Sequence, residues 1–211
     1  MKGVEYMKYS GAIANLIKKR KFLKVYEFDG MQWIGDGAVL YPVFGMRGLS
    51  DKELVHFLDL DPSEIEVQHI KELALDLSAN DDFECLITDR GPDVFQGIAW
   101  CRTYYTEQGA IFLNSRYFTP VERDKSVDMP VDVYLRTADR DNKKFPYVVL
   151  KKGLYIYAVI CPIDTWTQPE AFQQYQKLTA QIKLARLNYA YMCPDVLEGV
   201  GDEEDDDEDE E

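Results

Sequence analysis

The chain has 211 residues, 46% of them hydrophobic, and a formal net charge of -14. That apolar share supplies a core for one large domain or two small ones and excludes a disordered chain with folded islands. The charge excludes less than it first suggests: Asp202 to Glu211 are all acidic, and without those ten residues 28 acidic side chains face 24 basic ones, a net of -4.

Ile13, Leu16 and Ile17 recur at helical spacing within Ser10 to Arg20. The stretch ends in Lys18-Lys19-Arg20-Lys21, which suits the negative end of a helix dipole. Met7 is an alternative start to Met1, which would make the first six residues an extension. Phe22 to Phe28 alternates as a strand does, Asp29-Gly30 is a hairpin turn, and Met31 to Ile34 returns. Gly35-Asp36-Gly37 then breaks the chain ahead of a strand from Ala38 to Val43. Ser50-x-x-Glu53 is a capping box for a helix through Leu60, and Ser63 to Glu66 gives a second capping signal before a stretch of undecided structure to Asp76. Strand character returns at Glu84 to Thr88. It continues after the turn Asp89 to Asp93 as one strand from Val94 to Thr106, then after Glu107-Gln108-Gly109 as Ala110 to Leu113. Asn114-Ser115 is placed to cap a helical turn at Arg116 to Phe118.

Three antiparallel strands are expected next: Val131 to Thr137, Tyr147 to Lys151 and Leu154 to Ile163, with a polar loop at Ala138 to Lys144 and a turn at Lys152-Gly153. Thr167-Gln168-Pro169-Glu170 is a further capping box. It opens a helix to about Tyr191, with a seam of Ala171, Tyr175, Leu178, Ile182, Ala185 and Tyr189. Lys24 to Glu27 echoes Asp132 to Leu135, and Trp33 to Pro42 echoes Leu150 to Val159. Two related β-rich units would explain the echo, and so would chance similarity between two hairpins. The expected fold is α+β, rich in antiparallel strands, with short helices, a long C-terminal helix and a disordered acidic tail. Its divisions are 1–105, 106–191 and 192–211.

Little catalytic chemistry is offered. A phosphate loop needs glycines that open a helix, whereas Gly35-Asp36-Gly37 opens a strand, so it reads as a turn. The two histidines, His56 and His69, give scant material for acid–base work or a zinc site, and read as ordinary helical residues. Pro92-Asp93 begins like a nuclease carboxylate motif, but no acidic-x-Lys triplet follows nearby. The expectation is a protein that is not an enzyme and uses no metal or cofactor. Cys85, Cys101, Cys161 and Cys193 are widely spaced in mostly apolar surroundings, which reads as reduced, buried thiols of a cytoplasmic protein. No apolar run reaches the roughly 18 residues that cross a bilayer, so no membrane partner is expected. Lys18, Lys19, Arg20, Lys21 and Lys24 could grip phosphate, and Tyr104, Tyr105, Tyr117 and Phe118 could stack on bases. The alternative, a helix end and core aromatics, is the better supported of the two.

Ala110-Ile111-Phe112-Leu113-Asn114-Ser115-Arg116-Tyr117-Phe118 resembles the "F-N-x-R-Y-L" segment in the last domain of bacterial DNA-polymerase sliding clamps. The likeness continues through Val133 to Arg136, Phe145 to Val149 and Ala158 to Ile163, in the same order of strand, helix and three strands. The N-terminal half also resembles small prophage proteins of Firmicutes with the pattern "F-D-G-x-x-W-I-G-D-G-x-x-x-Y-P". The clamp resemblance implies helices that face DNA and an outer pocket for short peptides of replication proteins. By position that pocket carries over to Cys161, Pro162 and Ile163, with Tyr155 and Tyr157 on the strand leading in. Clamps end soon after that point, whereas this chain continues, and its length allows two clamp-type units rather than three.

The leading expectation is therefore a non-enzymatic phage or mobile-element accessory of DNA metabolism, clamp-like, acting by protein contact with a DNA-processing protein or nucleoprotein of the host. DNA association and homo-oligomers belong to the same reading. The alternative is an acidic mimic of nucleic acid that inhibits a host nuclease, of the anti-CRISPR or anti-restriction type. Its instrument would be Asp202, Glu203, Glu204, Asp205, Asp206, Asp207, Glu208, Asp209, Glu210 and Glu211.

Overall fold

The computed structural model describes residues 2–46, 48–79, 84–96, 99–107, 109–125, 128–140 and 143–163, together with scattered residues between 177 and 188. It is an α+β fold. The chain divides into two compact units, Met1–Asp164 and Thr165–Glu211. The expected division after residue 105 falls inside the first unit. In the second, the described residues, among them Ala180, Leu184 and Ala185, are helical. The remaining residues of the expected seam and the acidic tail lie outside the described residues.

The first unit opens with α1 (Lys2–Arg20), followed by β1 (Phe22–Phe28), β2 (Met31–Gly35) and β3 (Val39–Pro42). The helix starts well before the expected Ser10. Lys21, with φ of 62°, ends it, and its N–H still reaches Ile17 O at 3.0 Å. The β1–β2 turn places Asp29 and Gly30 at φ of 48° and 70°, the conformation that matches strand twist in two-residue hairpins. Helix α2 (Asp51–Phe57) carries the expected capping box, with Ser50 N–H donating to Glu53 Oε2 at 2.8 Å. It ends earlier than predicted, and Asp59 turns left-handed at φ of 51°.

The second capping signal opens no helix. Ser63 donates from its N–H and hydroxyl to Asp61 Oδ1, a local turn, and Glu66 begins β4 (Glu66–His69), which runs parallel to β1. His69 therefore lies on a strand, where its Nε2 meets Asp51 Oδ1 at 2.8 Å. The strand expected at Glu84 to Thr88 shrinks to β5 (Cys85–Leu86). The single strand expected from Val94 to Thr106 is a hairpin, β6 (Val94–Gln96) and β7 (Ala99–Thr106), with Gln96 opposite Ala99. Gln96-Gly97 carried the turn signal, and the apolar residues around it masked it.

Strand β8 (Gly109–Asn114) leads into a 3-10 turn (Ser115–Phe118), where Asn114 Oδ1 accepts from Arg116 N–H as expected, and then into α3 (Thr119–Arg123). Strands β9 (Asp132–Arg140), β10 (Lys143–Lys152) and β11 (Tyr155–Ile160) follow. The loop expected at Ala138 to Lys144 is absorbed by β9 and β10, which pair up to Arg140 opposite Lys143.

Eight strands form one sheet in the order β4-β1-β2-β3-β11-β10-β9-β5, and β6-β7-β8 form a second. Two helix-then-meander segments, α1-β1-β2-β3 and α3-β9-β10-β11, thus meet antiparallel along β3 and β11, with Leu40 opposite Val159. The segments that echo one another in sequence occupy corresponding strands of the two meanders.

Alternation along the strands gives the large sheet two apolar faces. One packs against the helices: Ile13 and Ile17 of α1, Leu54 of α2 and Val121 of α3 meet Val25, Tyr41, Val148 and Leu150. Each such aliphatic side chain contributes about 1.5–3 kcal/mol by leaving water. On the other face Trp33, Leu40, Tyr147, Val149, Ile156 and Val159 are covered by Ile70, Leu73, Leu75 and Leu77. Those four belong to residues 70–79, which form neither helix nor strand and link the β4 edge to the β5 edge. This segment is called the strap below.

Candidate functional site

The end of α1 gathers Lys18, Lys19, Arg20 and Lys21, all exposed, as the sequence predicts. Their charges are not equally available. Arg20 Nε lies 3.6 Å from Asp36 Oδ2, and hydrogen bonding to the Tyr117 hydroxyl, together with the nearby Asp36 carboxylate, raises its pKa against the opposing effect of burial. Lys24 stands apart on β1, half-buried, with its amine donating to Gln68 Oε1. Among the described residues at this end, Lys18, Lys19 and Lys21 are exposed, while Arg20 and Lys24 of the five predicted cations have polar partners.

Asp36 explains why the adjacent Gly35-Asp36-Gly37 is so constrained. Its Oδ1 accepts from Ala38 and Val39 N–H at 3.0 and 3.2 Å, and its Oδ2 accepts from Tyr117 Oη at 3.0 Å. Burial, and then the Asp36 carboxylate, push the Tyr117 hydroxyl up to about 12. Tyr41 Oη donates to Tyr117 O at 2.8 Å, so the network ties the first meander to the 3-10 turn ahead of α3. A Cβ at Gly35 would lie 1.7 Å from Val39 O, so this position admits only glycine. The segment is a turn with a buried carboxylate, as the strand chemistry after it predicts.

The strap makes the second notable surface. At its C-terminal end Arg136, with a fully buried side chain, donates to Asp76 O at 3.2 Å and Ser78 O at 2.9 Å, and its Nη2 meets Glu84 Oε2 at 2.6 Å. Lys151 donates to Ala79 O at 2.7 Å and also pairs with Glu84. Burial alone would raise the Glu84 pKa, but hydrogen bonds from Lys151 and Arg136 bring it below its ordinary 4.5. The strap's backbone is thus tied to β9 and β10 by charge-assisted hydrogen bonds.

Two clefts open beside the strap. The first, about 560 Å³, lies between Leu73 to Leu75 and the sheet at Ala38, Leu40, Phe145 and Cys161. The second, about 590 Å³, lies between Leu77 to Ala79 and the ends of β2 and β11.

The five residues expected to form one peptide pocket are not brought together. Cys161 lines the first cleft, with its N–H on Ala38 O. Tyr155 stands at the second cleft, 66% exposed. Tyr157 is buried on the helix side, its ring centroid 5.0 Å from that of Phe44. Pro162 and Ile163 are half-buried beside β8, with Ile163 N–H on Phe112 O. A β-bulge leaves Tyr157 without a register partner, between Ile156 opposite Lys151 and Ala158 opposite Leu150.

Tyr104, Tyr105, Tyr117 and Phe118 are buried, so their rings build the core. Cys101 is buried and Cys161 half-buried, whereas Cys85 is exposed, against expectation; Cys193 lies outside the described residues. Asp93 is paired with Arg90 at 3.1 Å. Among the described residues no three His, Cys, Asp or Glu side chains converge as a metal site, and no helix is long and apolar enough to cross a membrane. No family model matches the chain, and no curated protein or solved structure matches it.

Proposed function

We propose that this is a non-enzymatic, clamp-like accessory of DNA metabolism, of phage or mobile-element origin, which works in the cytoplasm by contact with a DNA-processing protein and by association with DNA. The observation that carries the reading is the arrangement of two helix-then-meander segments about the β3–β11 junction, with the helices on one face and Lys18, Lys19 and Lys21 exposed at the end of α1. Such a layout offers cations to phosphate on the helix side and leaves the clefts beside the strap to proteins. Sedimentation with a closed circular plasmid tests it. Dimers or larger rings that retain the circle are expected, and a monomer that never retains it overturns the reading.

A second reading rests on the ten consecutive carboxylates from Asp202 to Glu211. A run of this density imitates a phosphate backbone, and the protein would then occupy the nucleic-acid channel of a nuclease. Truncation after Gly201 separates the two: loss of partner binding favours mimicry, and retained binding places function on the folded body.

A further inference from the structure

Four buried side-chain polar atoms have no hydrogen-bond partner among the described residues: Trp33 Nε1, Arg102 Nε, Thr103 Oγ1 and Ser115 Oγ. Only Trp33 lines either of the two clefts beside the strap. Its residue is 3% exposed, so the indole N–H has lost water without gaining an acceptor. An unmade bond of this kind costs about 1–3 kcal/mol, and a bound group that supplies the acceptor recovers it.

The cleft around Trp33 has three features that restrict its occupant. Its walls are apolar, from Met31 on β2 across Leu77 of the strap to Ile156 on β11. Among the described residues that line it, the ionisable side chains are Tyr155 and Asp29, and Asp29 is an exposed carboxylate held in place by the hairpin turn. The apolar surface also runs on past the cleft, because Leu154 is 76% exposed and Tyr155 66% exposed at its edge. A small molecule confined to the cleft would cover only part of these two side chains. A peptide lying along the edge would cover them.

We propose that this cleft is a docking site for an extended peptide of a partner protein in which an aliphatic or aromatic side chain stands beside a lysine or arginine. The apolar side chain enters between Met31 and Leu77. A peptide carbonyl accepts from Trp33 Nε1, and the cation pairs with Asp29. Charge complementarity sets the sign: a carboxylate beside aromatic rings favours a cation and opposes an acidic peptide. The site is distinct from the Cys161 cleft, and the tie of Arg136 and Lys151 to the strap carbonyls holds its wall in place before binding.

The test is to pan the full chain against a random phage-displayed peptide library, then measure the enriched sequences as synthetic peptides. Leu154→Ser with Tyr155→Ser, and separately Asp29→Asn, serve as variants; the first two positions are exposed, and asparagine tolerates the positive φ of Asp29. Expected are peptides with Lys or Arg beside an apolar residue that bind about tenfold more weakly to each variant. The Trp33 indole N–H resonance of the wild type should shift downfield on binding. No enrichment over bare support, enrichment of acidic peptides, or equal binding to wild type and variants would overturn the proposal.

Discussion

The two faces of the eight-stranded sheet are covered in different ways. On one, α1, α2 and α3 press a continuous layer of aliphatic and aromatic side chains onto Val25, Tyr41, Val148 and Leu150, which are buried to within a few per cent. On the other, a single extended segment crosses the apolar residues, held by alternate leucines and by backbone bonds to Arg136, Lys151 and Tyr147. A layer of helices fills the volume over a sheet; a strap one chain wide leaves clefts on both sides. The tighter packing thus lies on the helix face and the open clefts lie on the strap face.

That contrast can be broken most severely at Arg136. Arg136→Ala would strand Glu84 beside Lys151 and release the strap carbonyls, at about 3–5 kcal/mol; urea unfolding should show the loss, and amide exchange should show Ser78 and Ala79 opening first. Leu150→Ala on the helix face should cost about 2–5 kcal/mol and accelerate exchange across the sheet without favouring the strap. Acid gives a milder break. Because the folded pKa of Glu84 is lowered, its contribution is present above about 4.5 and is lost as pH falls through the lower folded value. Wild type should therefore lose stability more steeply below pH 4.5 than Glu84→Gln, measured by the urea midpoint at successive pH values. The smallest effect is expected at Leu73→Ser, about 1 kcal/mol, since that side chain is only half-buried. Equal costs for Leu73→Ser and Leu150→Ala would remove the distinction between the faces.

The meanders were readable in the sequence because their strands alternate and their turns carry glycine. Phe22 to Phe28 fits its strand to the residue, and Asp29-Gly30 and the Asn114 cap behave as their chemistry requires. The strap is not legible in the sequence, although Leu73, Leu75 and Leu77 alternate as an extended chain does; with no partner strand to complete the pattern, period two over five residues has nothing to fix it. The shared sheet was hidden for another reason. Pairing of β3 with β11 joins residues more than a hundred positions apart, and no local signal encodes that register. The basic end of α1 is legible from helical spacing and charge, whereas the pairing of Arg20 with Asp36 depends on the tertiary fold.

The proposed contact of the helix side with DNA is decided by the salt dependence of duplex binding. Fluorescence anisotropy of a labelled duplex with the full chain should show affinity falling as salt rises, with a log–log slope near -3 if Lys18, Lys19 and Lys21 each neutralise a phosphate. Lys18→Glu, Lys19→Glu and Lys21→Glu together should abolish both the binding and the slope. Undiminished binding by the triple variant, or no binding by wild type even at about 50 mM salt, would contradict the claim.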